Sequence, residues 1–317
     1  MRIGLKVDVN TLHGTLVGVP NLLRLFDRYR VQATFFFSLG LDHSGRALRR
    51  LLHPGGWHQQ SRLVFKHYGL PTMLYGTLLP APDIGRRGAN MMRVVAAAGH
   101  EVAIQGYNHT QWQTLSVAAD REWTHQELLR ASESFVRIFG KPPRAHGAAG
   151  WHINPHLLLL EMELNLDYAS DSRGTGPFLP VMRGIPSRCV QIPTTLPTLD
   201  ELIGHHGIDT GNVHQPLFAK SRTISMLGHV FRLSAELEGL DLLPVLERLL
   251  IMWQGDADEI GTLREIFYQQ LDQRRLPVHR ISMGKIAGRA EPVALQGEII
   301  RIQRPSSDPD ELVHLNT

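Results

Sequence analysis

A chain of 317 residues with 43% hydrophobic and 20% charged residues can bury a sizeable core, and a formal charge of only +3 argues against a nucleic-acid binder. Its single cysteine, Cys189, excludes an internal disulfide framework. The first residues run directly into a strand pattern and no apolar run is long enough to span a bilayer, so the expectation is a cytoplasmic protein of one decorated domain.

Ile3, Leu5, Val7 and Val9 alternate with Gly4, Lys6, Asp8 and Asn10, and a period of two sends Asp8 and Asn10 to the same face of a first strand. An acid and an amide at a strand end suit the mouth of an α/β fold, where ligands meet strand ends. The plainer reading is that Asn10 and Thr11 start a turn or cap a helix. Apolar residues at helical spacing follow over 19–29, and a buried strand over 31–39. The regular pattern then breaks over 44–87, where Arg46, Arg49, Arg50, Arg62, Lys66, Arg86 and Arg87 face the lone acid Asp83, among leucines, Trp57, Tyr68 and Tyr75. Such a segment suits either a lid packed on the protein or a peripheral contact with a membrane surface.

The spacing next predicts a helix over 90–98, a strand from Glu101 ending in Gln105-Gly106-Tyr107-Asn108-His109, and a helix over 124–139 stopped by Gly140. A leucine-rich helix over 155–164, short strands near 167–170 and 189–193, and a strand over 228–235 continue the series. Helices are expected over 240–253 and 259–274, a final strand over 276–282, and a polar tail from Gly288 onward. Repeated strand and helix units favour an α/β fold with a parallel sheet or barrel inside a shell of helices.

Several strand ends carry motifs in a telling order: Asp8-x-Asn10, Gln105-Gly106-Tyr107-Asn108-His109, Ala148-Ala149-Gly150-Trp151, Ser170-Asp171-Ser172-Arg173-Gly174, Gln191-Ile192-Pro193-Thr194-Thr195-Leu196-Pro197-Thr198 and Ala235-Glu236-Leu237-Glu238-Gly239. Together they resemble the polysaccharide deacetylase superfamily, and within it the bacterial formamido-arabinose undecaprenyl-phosphate deformylases of lipid A modification. The resemblance runs from Met1 to about Ile286 and implies a distorted (β/α)7 barrel over 1–287, with the insert at 44–87, an extra helical stretch at 242–255 and a tail at 288–317. It also implies metal-assisted hydrolysis of an amide on a polyprenyl-linked amino sugar, with a carboxylate as base and a histidine as acid.

Carried over position by position, the resemblance makes Asp8 the base and His109 a metal ligand. The other two ligand positions hold Asn10 and Gln105 instead of an acid and an imidazole, and Ser234 stands where the family has its acid histidine. His152 follows Trp151 where the deformylases have an arginine. Trp151, His152, Asp171, Arg173 and Glu236 are the expected substrate-binding residues. Losing a carboxylate and an imidazole weakens a site for zinc, manganese, cobalt or nickel. Three readings follow. One is a catalytically impaired member, or pseudoenzyme, that still binds a lipid-linked amino sugar. Another is an active amidohydrolase whose metal site is rebuilt around Asp8, Asn10 and His109 with His13, His146 or His152. The last is a regulatory subunit whose insert docks on anionic lipid or on an active paralogue.

Overall fold

The alternation read in the first strand is realised as β1, Arg2–Val9, whose Ile3, Leu5, Val7 and Val9 are fully buried. The computed structural model describes residues 1–46, 72, 74–223 and 227–300. Within it β1 has three parallel neighbours. β2, Thr34–Ser38, pairs with its second half, β9, His229–Ser234, pairs from Ile3 to Asp8, and β10, Glu259–Gly261, pairs only with its start. From β2 the parallel order continues through β3, Glu101–Gly106, β4, Ala145–His146, β5, Tyr168–Ala169, and β8, Val190–Gln191. Beyond β8, the amides of Thr195 and Leu196 donate to the carbonyl of Val230 in β9, and the curled sheet returns to its own beginning. This is the distorted α/β barrel that the sequence leads one to expect.

Two apolar layers hold it. Outside, helices Val19–Tyr29, Ile84–Ala97, Arg121–Phe139 and Leu243–Gly255 pack residues such as Leu22, Val95, Phe135 and Trp253 on the outward faces of the strands. Inside, Phe36, Ala103, Ala145, Tyr168, Val190 and Val230 meet Leu263, Ile266 and Phe267, which plug the barrel. Gly4 is required for that plug, because a Cβ there would lie 2.8 Å from the Phe267 ring. At about 25 cal/mol per Å² of buried apolar surface, these layers dominate the stability of the fold.

Three expectations change. The helix expected over 259–274 is broken: Glu259–Gly261 completes the edge of β1, and Thr262 and Glu265 then form a capping box on the short helix Leu263–Ile266. The strand expected last is β11, Val278–Gly284, and it joins a separate sheet in the order β12 (Val293–Ile299), β11, β6, β7, where β6 is Leu179–Met182 and β7 is Ile185–Pro186. The polar stretch after Gly288 supplies β12, Val293–Ile299, anchored because Val293 and Ala294 are buried. Most of the basic insert, residues 47–71 and 73, lies outside the described residues, and so does its membrane reading. Its described edges are joined by a bridge between Leu41 and Asp83, and the Asp83 side chain caps helix Ile84–Ala97 by accepting the Arg86 amide. Among the described residues, no helix is long and apolar enough to cross a membrane.

His100 shows how the outer layer responds to pH. Its ring packs 5.7 Å from Phe26 and 5.2 Å from Phe35, and its Nδ1 accepts the Ala33 amide at 3.1 Å. Burial lowers its pKa to about 4, so the folded protein holds the ring neutral. The unfolded chain titrates near 6.5; stability from the neutral ring is complete above that pH and is lost as pH falls toward 4. Urea unfolding at pH 7 and pH 4.5 is therefore expected to show a loss of about 2–3 kcal/mol, part of which disappears in His100→Asn. Equal losses in both proteins would assign the acid sensitivity elsewhere.

Candidate functional site

The C-terminal ends of β1, β2, β3 and β9 bring Asp8, Asn10, Ser38, Gln105 and Ser234 to one mouth, the end at which parallel sheets bind ligands. His109 joins them from the first turn of helix His109–Leu115, which is capped by the Asn108 side chain on the Gln111 amide. In the β1 and β9 pair, Asp8 lies opposite Ser234 and Lys6 opposite Arg232. Side chains across a parallel pair point the same way, so two cations enter the barrel just below the mouth. Asp8 accepts the Arg232 Nε–H at 2.8 Å through Oδ2, while its Oδ1 is 4.0 Å from Lys6 Nζ and makes no hydrogen bond. Lys6 is fully buried, donates to the Ser170 carbonyl and lies 4.9 Å from the centre of the Phe36 ring. Burial lowers its pKa, against the pull of Asp8.

Glu236 is not at the disposal of a substrate. Its Oε1 accepts the amides of Asn10 and Thr11, each at 2.9 Å, and the Thr11 hydroxyl at 3.0 Å. Its Oε2 accepts the Ser234 hydroxyl at 2.8 Å and the Asn10 Nδ2–H at 3.3 Å. The expected substrate contact is thus a clamp between the end of β1 and the turn after β9. It also fixes Ser234, whose hydroxyl is spent on Glu236. Gly18 lets the facing chain close on this turn, since a Cβ there would lie 1.9 Å from the Ala235 carbonyl oxygen.

The family resemblance implies a divalent metal here, and the side chains present test it. Asn10 keeps one buried oxygen, Oδ1, without a partner, and His109 keeps a buried Nδ1. Burial pulls the His109 pKa down to about 4, with Arg232 and His152 adding to the effect and Asp8 opposing it, so the ring is neutral. Gln105 turns its Oε1 to the Ser38 hydroxyl at 2.8 Å and leaves Nε2, a donor, unpartnered. Of the histidines available to rebuild the site, His146 and His152 are engaged elsewhere. His152 Nδ1 meets the Gln113 carbonyl at 2.9 Å and its Nε2 is 3.4 Å from Glu291. His13 is half-buried beside Asp42. What remains is one imidazole, one amide oxygen and the Oδ1 of Asp8, whose other oxygen is paired to a guanidinium. Zinc and its neighbours in the series are held by anionic and imidazole donors, so these residues do not fit a divalent ion.

Asp171 belongs to a fully buried cluster with His146 and Glu161. His146 Nδ1 is 2.8 Å from Glu161 Oε1 and 3.0 Å from Asp171 Oδ1, and Asp171 also accepts from the Ala148 amide and from Gln191 Nε2. Despite burial, the two acids raise the His146 pKa to about 10. Burial and Asp171 push Glu161 well up, and His146 holds Asp171 low. The two acids thus favour a charged imidazole at His146, and the Asp171 carboxylate is spent inside this cluster. Trp151 is only 2% exposed, too little for a sugar ring to stack on. Its indole packs against the guanidinium groups of Arg289, Arg173 and Arg232, at 4.5, 5.0 and 5.8 Å. Arg173 in turn donates to Glu201 Oε1 at 2.6 Å and to the Leu196 carbonyl, which makes it a buttress rather than a free ligand for phosphate. His152, by contrast, borders an open cleft of about 210 Å³ lined also by Gln113, Asp200, Arg289 and Glu291.

Lys6, Arg232 and Arg289 escaped the sequence reading. The signal for the first two was present, because Lys6 is two residues before Asp8 and Arg232 two before Ser234, which puts each pair on one strand face. Arg289 fell in the stretch read as tail.

Comparison with known proteins agrees with this architecture. The family described as Polysaccharide deacetylase matches residues 13–169. A probable 4-deoxy-4-formamido-L-arabinose-phosphoundecaprenol deformylase ArnD of Shewanella sediminis (strain HAW-EB3) is 31% identical over 305 residues, which is 96% of this chain and 97% of that protein. Its counterpart in Wigglesworthia glossinidia brevipalpis is 28% identical over 290 residues, 91% of this chain and all of the relative. Among solved structures, that of a probable polysaccharide deacetylase from Pseudomonas aeruginosa PAO1 superposes with a TM-score of 0.54 at 18% identity, covering 84% of this chain and 89% of the other. At that identity the likeness speaks for the fold alone.

Proposed function

Since this chain belongs to the polysaccharide deacetylase family, in company with the formamido-arabinose-phosphoundecaprenol deformylases, we propose that it recognises a polyprenyl-linked amino sugar and does not hydrolyse its amide at a useful rate. The observation that carries the reading is the Arg232 to Asp8 pair. A base held by a guanidinium at 2.8 Å, with Asn10, Gln105 and Ser234 around it, lacks both the ligand set and the proton donor that amide hydrolysis calls for. The likeness to the deformylases, extending over nearly the whole chain, supports retention of the ligand class. An active paralogue at the membrane surface is the partner such a protein would serve.

The unpartnered Asn10 Oδ1 and His109 Nδ1 favour the rival reading of a weakly metal-loaded amidohydrolase. The two separate in one assay. Purified protein is mixed with undecaprenyl-phosphate formamido-arabinose in detergent, and bound lipid and released formate are measured together. Saturable binding is expected, with formate release at least about 10²-fold slower than by an intact relative, the usual minimum loss when a general acid is missing. Release at a comparable rate would overturn the proposal, and so would failure to bind the lipid.

A further inference from the structure

The same site carries a second conclusion, which rests on that reading of the mouth as a ligand site. We propose that the guanidinium of Arg232 stands in for the divalent cation, so that the mouth binds a ligand oxygen without metal.

Three observations meet in this assignment. Arg232 is anchored at Nε by Asp8, which fixes the plane of the guanidinium, and the carboxylates of Asp200 and Glu238 also bear on its charge. Arginine offers donors in a planar fork suited to a carboxylate or acyl oxygen. The Nε2 donor of Gln105, in a side chain only 1% exposed, adds a second unpartnered donor at the mouth. Asn10 Oδ1 and Asp8 Oδ1, in side chains 5% and 3% exposed, are unpartnered acceptors, suited to the N–H of an uncleaved amide. A site that supplies donors for an oxygen and acceptors for an N–H recognises an intact amide, or the carboxylate derived from it, and keeps water and metal out of the arrangement.

The test uses the full chain, zinc and sodium formate. Protein dialysed against chelator, then against buffered zinc, is expected to retain far less than one metal per chain by elemental mass spectrometry. Titration calorimetry is expected to show formate binding to the chelator-treated protein, unchanged by zinc and weakened at least about tenfold in Arg232→Ala. If that variant fails to fold, Arg232→Lys keeps a cation beside Asp8 without the fork and is expected to weaken formate binding as well. One zinc per chain that is lost in His109→Ala, formate binding that needs zinc, or unaltered affinity in a folded Arg232 variant would each overturn the assignment. None of these measurements uses the lipid-linked sugar. Their failure therefore leaves the ligand class open to its own assay, and failure of the lipid assay leaves the guanidinium site standing.

Discussion

The quadruple variant Asn10→Asp, Gln105→His, Ser234→His, Arg232→Ala is expected to retain a divalent ion and to release formate from the lipid-linked sugar at least about 10²-fold faster than the natural chain. Each change removes a distinct obstacle. Asn10→Asp returns a negative charge to a side chain whose Oδ1 already lacks a partner, and Gln105→His replaces an unpartnered buried donor by an imidazole. Arg232→Ala removes the cation from Asp8, whose Oδ1 still has Lys6 at 4.0 Å to limit the cost of exposing a buried carboxylate. Ser234→His sacrifices one of the hydrogen bonds to Glu236 and supplies a group that can give up a proton near neutral pH. Groups that act as a unit are strongly non-additive, so the single variants are expected to recover almost nothing. Metal analysis and single-turnover formate release on the same preparation check both halves. A variant that holds metal without turnover would show that the lost chemistry depends on more than these four positions.

Glu236→Ala should be the most damaging single substitution at the mouth, costing about 3–5 kcal/mol of stability. The carboxylate is fully buried and receives two backbone amides, two hydroxyls and the Asn10 amide side chain. Alanine would leave those donors buried and unanswered, and the desolvation penalty of each exceeds the modest net gain of an ordinary hydrogen bond. Glu236→Gln preserves the volume and one accepting oxygen, and is expected to lose about 1–2 kcal/mol. Urea unfolding of the three proteins at pH 7 separates the roles. A loss below about 1 kcal/mol in Glu236→Ala would mean that water enters and satisfies the donors.

Much of the mouth was legible in the sequence because it obeys strand periodicity. Asp8 and Asn10 were assigned one face for the same reason that Ile3 and Val7 share theirs, and the structure buries both at the end of β1. Glu236 was legible as a motif residue but not as a clamp. Its partners Asn10 and Thr11 are 226 and 225 residues away, and no local pattern announces a contact of that range. The broken helix over 259–274 had its own warning in Thr262-x-x-Glu265, a capping signature set inside the apolar spacing that suggested one long helix. Trp151 looked like a sugar platform because its setting of arginines is assembled from three separate stretches, at 173, 232 and 289.

The long closure between β1 and β9 also bears on how the protein is made. The strand carrying Asp8 leaves the ribosome well before its partner, since Arg232 is synthesised 224 residues later. At about 5–20 residues per second, the nascent chain waits roughly 10 to 45 s with that edge of β1 open. During this interval the strand presents unpaired peptide groups and a row of branched side chains to whatever is nearby. The ion pair that defines the mouth therefore belongs to the last act of folding, and a ribosome stalled before residue 229 would display a β1 edge fit for chaperone capture and no functional mouth.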